Sequence, residues 1–122
     1  MENPKKQLRP EILSIIKTEN FSALEKFQNE TLRPIIKLQH DLILTRFEHY
    51  LKQNKINIIE LNKTQKTDLM NKLFKSDTRL KNDFRGLIIG LFTLEEYKEY
   101  LTISSQLNKR INNMIRQKLD NS

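Results

Sequence analysis

A chain of 122 residues is long enough to fold around one core, burying roughly two thirds of its unfolded surface, and too short for two domains. With no cysteine it has no disulfide and no thiol chemistry. No apolar run approaches membrane-spanning length and the opening MENPKKQLRP lacks a signal-peptide core, so the expectation is a soluble, cytoplasmic protein with no membrane partner. The net charge of +7 admits a polyanionic partner and is uneven: ten basic and eight acidic residues lie in residues 1–60, twelve and seven in residues 61–122.

Two glycines and three prolines punctuate the chain, and no segment alternates with period two. The expected fold is therefore all-α, a compact bundle of about five helices forming a single domain over residues 1–122, with residues 1–9 as a flexible lead-in. A first helix is expected from Pro10 to about Lys17, carrying Ile12, Leu13, Ile15 and Ile16. Ser22 to Glu25, S-A-L-E, has the spacing of a capping box and starts a segment with Leu24 and Phe27. Thr31 is a fair N-cap for a fresh helix with Pro34 in its first turn, the alternative being one longer helix kinked at Pro34.

The helix from Thr31 to Gln53 is the expected centre of the bundle. At about 100° per residue its apolar positions, Leu32 through Leu51, cover an arc of roughly 240°, wider than the stripe of a surface helix. Gln39 and Arg46 interrupt that arc, and a buried arginine requires a carboxylate, a ligand or another subunit. Residues 54–62 read as either an extended connection or a helical turn. Thr64 or Thr67 would cap the next helix, and Ser76-Asp77 the one after. Gly86 and Gly90, four apart, suit close backbone packing or a helix end. Thr93 to Glu96, T-L-E-E, is the clearest capping box and opens a last helix reaching about Leu119, whose apolar face Ser104 and Asn108 interrupt.

Tests for catalysis return nothing. His40 and His49 are nine residues apart, on opposite sides of one helix, and cannot share a metal. There is no H-E-x-x-H, no paired E-x-x-H, no Walker loop and no G-x-G-x-x-G, so no catalytic residue, metal or cofactor is expected. The leading expectation is a non-enzymatic helical interaction module whose partner is another protein or a second copy, with Gln39, Arg46, Ser104 and Asn108 as the candidate interface residues. In a small-ligand reading, Arg46 takes a carboxylate or phosphate beside Gln39 and Asn108. A nucleic-acid binder would instead use Lys109, Arg110, Arg116 and Lys118, with Lys63, Lys66, Lys72, Lys75 and Arg79 as a second strip.

The segments FQNETLRPIIKLQHD (residues 27–41), GLIIGLFTLEEYKEY (86–100) and SSQLNKR (104–110) resemble a family of small proteins from flavobacteria and their relatives that often carry the label glyoxalase. That label would imply a lyase. Glyoxalases of the lactoylglutathione lyase type have βαβββ modules and bind a divalent metal through histidine and glutamate. Neither strands nor convergent ligands are legible here, so no site residue carries over.

Overall fold

The computed structural model describes Lys5, Leu8, Arg9 and residues 22–122. Among these the fold is all-α, without strands. It comprises α1 (Ala23–Phe27), a π-helical turn (Gln28–Leu32), α2 (Arg33–Leu38), α3 (His40–Gln53), a 3-10 turn (Ile58–Glu60), α4 (Lys63–Ser76), α5 (Thr78–Ile89), α6 (Leu94–Thr102) and α7 (Ser104–Asp120). The helix expected from Pro10 to Lys17 lies outside the described residues.

Helix boundaries follow the capping chemistry at most ends. Ser22 accepts from the Glu25 N–H at 3.2 Å, Asp77 from the Leu80 N–H at 3.0 Å, and Thr93 and Glu96 make the reciprocal box. Asn62, rather than Thr64 or Thr67, caps α4, its side chain accepting from Gln65 while Gln65 accepts from the Asn62 N–H. Thr31 starts nothing: the chain stays helical from 23 to 38. Pro34 has no N–H for the Glu30 carbonyl and its ring crowds that carbonyl, and the chain widens into a π-turn just upstream, where the Arg33 N–H reaches back to Gln28. The helix breaks instead at Gln39, where φ −90° and ψ 13° leave the helical well. This break splits the expected long helix in two. Part of its apolar arc, Leu38 and Leu42, is consequently exposed.

The last helix also divides, at Ile103 (φ −136°, ψ 33°), and its C-terminal half is the hub of the bundle. Leu107, Ile111, Ile115 and Leu119 recur every four residues along α7, fully buried. They pack against α4 (Met70, Leu73, Phe74), α5 (Leu80, Phe84, Ile88), α6 and the π-turn. Each such side chain contributes about 1.5–3 kcal/mol on burial. The 31–53 segment, expected at the centre, is a flank: α3 lays Ile43, Phe47 and Leu51 into the core from one side and runs against α5. Gly86 is open rather than closely packed, with nothing within 4 Å of where a Cβ would stand, and Gly90 is the C-cap of α5.

Residues 54–62 combine both expected conformations, an extended entry at Asn57 and Leu61 around a single 3-10 turn. The segment begins with a Schellman-type cap, in which Ile56 N–H bonds to Leu51 O at 2.9 Å and Lys55 N–H to Lys52 O at 3.2 Å. This requires a left-handed residue at position 55, and Lys55 adopts φ 54°. A glycine is relieved of the Cβ clash there but loses more entropy on folding. Lys55→Gly is therefore expected to raise stability by about 0.5–1 kcal/mol in urea unfolding; a loss would show that the lysine stem contributes contacts outweighing the strain.

Candidate nucleic-acid interface

The four polar residues that interrupt the apolar faces do not converge: Gln39, Arg46 and Asn108 each bond to a different neighbour, and the Arg46 Nη1 stays buried without a hydrogen-bond partner. Gln39 Nε2 donates to Leu87 O at 2.9 Å. That carbonyl has lost its own helical partner, because Leu91 N–H turns back to Ile88 O at 3.1 Å. Arg46 Nε donates to Asp83 Oδ2 at 2.9 Å. Residues 39 and 46 thus meet 87 and 83, which is the antiparallel pairing of α3 with α5. Asn108 Oδ1 accepts from the Tyr100 hydroxyl at 2.5 Å across the α6–α7 corner, and Ser104 is the half-buried first residue of α7. The expected meeting of the Gln39–Arg46 pair with the Ser104–Asn108 pair does not occur. His40 is half-buried at the start of α3 and His49 is exposed, and no group of three or more His, Cys, Asp or Glu among the described residues could hold a metal.

Arg46 does border an open polar groove with His49, Tyr50, Asp77, Arg79 and Asp83. Burial, followed by the negative charge of Asp77, pushes the Tyr50 phenol above its ordinary pKa, so it stays a neutral donor. Because the Asp83 side chain is 46 % exposed, the Arg46–Asp83 pair is a surface interaction. Arg46→Leu is expected to change stability by less than about 1 kcal/mol in urea. A larger loss would mean that the pair organises α3 against α5.

A second polar cluster, built around Glu96, is more deeply seated. Arg9 Nη1 and Nη2 grip Glu96 Oε2 and Oε1 at 2.9 and 2.7 Å, and Nη2 also donates to Leu91 O at 2.6 Å. The remaining acceptor capacity is filled by the Thr93 N–H at 2.8 Å and by the Thr31 hydroxyl at 3.0 Å, which the π-turn presents. Burial alone would raise the Glu96 pKa, but the bonds from Arg9 and Thr93, the Arg9 charge and the Thr31 bond bring it down to about 2. The side chains of Arg9 and Glu96 are only 6 % and 10 % exposed, so this is a buried ion pair. Arg9 lies within the stretch expected as a lead-in, and its side chain joins the α5–α6 connection at Leu91 to Glu96 of α6.

Cations without a carboxylate partner among the described residues gather along α7. Its outward line, Gln106, Lys109, Asn113 and Gln117, is exposed throughout and carries no acid. On the α4 side an open groove of about 370 Å³ is lined by Lys75, Lys109 and Arg116 with Asn71, Asn112 and Asn113 over Phe74. On the α2 side a groove of about 530 Å³ is lined by Arg33, Lys37 and Lys118 with Gln28, Gln117 and Asn121 over Ile36 and Met114. Six cations and no carboxylate line the two grooves among the described residues. Partial burial and the nearby Lys37 charge lower the Lys118 pKa. The only acid of α7, Asp120, sits at its end and accepts from the Thr67 hydroxyl at 3.1 Å.

The sequence-based candidates Lys109, Arg116 and Lys118 all fall on these grooves. Arg110 lies beside them, donating to Gln28 Oε1 at 2.7 Å, and Arg116 makes only a long 3.4 Å contact with Asn71. The second strip divides. Lys75 joins the α4-side groove, Lys66 donates to Ser122 O at 2.8 Å, and Lys72 and Arg79 face other grooves. Arg33 and Lys37 were not among the candidates. Their spacing of four without an intervening acid is a visible signal, but only the fold places them beside Lys118. No family model, curated protein or solved structure matches the chain.

Proposed function

We propose that the chain is a non-enzymatic nucleic-acid-binding module acting through the outward face of α7. The supporting observation is the pair of grooves lined by six cations and amide side chains, with no carboxylate among the described residues lining either. Like charges held together in this way, as Lys37 and Lys118 are, raise the energy of the free protein, and a row of phosphates relieves it. The amides supply donors and acceptors at the same surface. Fluorescence anisotropy with labelled DNA and RNA fragments at about 50 mM salt is expected to give micromolar binding. Undetectable binding under those conditions overturns the reading.

A protein or self-association partner remains the second reading, and it now rests on a different surface. Gln39, Arg46 and Asn108 bond inside the chain, and among the exposed apolar side chains Leu94, Tyr97 and Leu101 form a line on α6, opposite buried Glu96 and Tyr100. Light scattering during size-exclusion chromatography tests it. A dimer dissolved by Leu94→Glu with Leu101→Glu supports this reading, and a monomer at all concentrations removes self-association.

A further inference from the structure

Resting on the nucleic-acid reading, we infer that the partner is a B-form DNA duplex and that α7 lies in its major groove. Three features of the α7 surface carry this. First, α7 stands as a ridge between two grooves, with Lys75 and Arg116 along one flank and Arg33, Lys37 and Lys118 along the other. Arg116 and Lys118, two residues apart, lie on opposite sides of α7 and are separated by about its own diameter, roughly 10–12 Å, while Lys75 on α4 and Arg33 and Lys37 on α2 extend the two rails outward. The major groove of B-DNA is about 12 Å wide and bordered by phosphates on both edges, so the two cationic rails match the two strands.

Second, the crest between the rails is chemically suited to base edges. Gln106, Asn113 and Gln117, with Lys109 among them, follow each other at spacings of three and four, so they lie on one line. From Gln106 to Gln117 that line is about 16 Å long, close to five base-pair steps. Amide side chains there can donate to and accept from adenine edges, while the long Lys109 side chain reaches into the α4-side groove with Lys75 and Arg116.

Third, the surface lacks what the other nucleic acids require. Single strands are held by bases stacking on exposed aromatic rings. The one aromatic ring lining these grooves among the described residues, Phe74, is buried and already stacked on Phe84 at 5.8 Å. A-form RNA has a deep, narrow major groove that would not admit the ridge.

The test compares one random sequence as DNA duplex, DNA single strand and RNA duplex by anisotropy at equal salt, followed by dimethyl sulfate footprinting of the DNA duplex. The expected result is binding to the DNA duplex at least tenfold tighter than to the other two, with guanine N7 protected in the major groove and adenine N3 in the minor groove left reactive. The exposed triple variant Gln106→Glu, Asn113→Asp, Gln117→Glu keeps shape and core while placing three negative charges on the crest, and is expected to weaken duplex binding about 100-fold. Equal affinity for all three nucleic acids, protection of adenine N3 instead of guanine N7, or an unaffected triple variant overturns the inference and leaves the nucleic-acid reading standing. Tighter binding to polyglutamate than to any nucleic acid, or no nucleic-acid binding at all, overturns both.

Discussion

Glu96→Ala is expected to cost about 3–5 kcal/mol, because it strands the Arg9 guanidinium with its charge buried and removes the partner of both the Thr31 hydroxyl and the Thr93 N–H. Against the roughly 5–15 kcal/mol that holds a domain of this size, such a loss is large enough to unfold it on modest heating. The companion Arg9→Leu/Glu96→Leu variant removes both charges and is expected to recover much of the loss, since two apolar residues need no counter-charge. The pH dependence has a definite sign. The folded carboxyl has its pKa lowered from 4.5 to about 2, so its contribution is present in full above the unfolded value and is lost as the pH falls from 4.5 towards 2. In Glu96→Ala that segment of the acid-unfolding curve should flatten. Urea unfolding of the three proteins across acid pH checks all of this. A single variant within about 1 kcal/mol of wild type would show that the cluster is solvated and contributes no more than a surface pair.

Reversing the charges on one flank of α7, in Lys75→Glu/Lys109→Glu/Arg116→Glu, should weaken duplex binding by at least about 100-fold. Each phosphate contact at the surface is worth about 1 kcal/mol, three are lost, and the new carboxylates add repulsion. The salt dependence should flatten at the same time by about three units of slope. Net charge alone would also weaken binding, so the comparison that decides is Lys26→Glu/Lys52→Glu/Lys98→Glu, three exposed lysines away from the grooves, which makes the same change in total charge. That control is expected to lose less than about tenfold. Equal losses in both variants would mean that a diffuse positive field, and no particular face, attracts the nucleic acid.

How much of this was legible beforehand depends on whether the cause was local. Caps at Ser22, Asp77 and Thr93 are decided by side chains within three residues of the backbone they satisfy, and they could be read directly. The break at Gln39 could not. It is compensated by Leu87, 48 residues away, so nothing near Gln39 distinguishes it from a polar interruption of a continuous helix. Thr31 misled for a related reason. It has the chemistry of an N-cap, yet its hydroxyl is used by Glu96, 65 residues on. Glu96 itself was visible only as half of a capping box, because its other role depends on Arg9. The basic residues of α7 were legible as candidates from their crowding at the end of the chain. That Arg33 and Lys37 complete the opposite flank required the packing of the π-turn and α2 beside α7, which no periodicity encodes.

The most direct measurement of the central claim is the affinity of the wild-type protein for a short DNA duplex across a salt series. Six groove cations neutralising six phosphates predict a slope of log K against log salt of about −5, with affinity falling about 1,000-fold between 50 and 200 mM salt. A slope near zero, or no binding at the lowest salt, would contradict the account and would mean that the cations along α7 are a solvated surface.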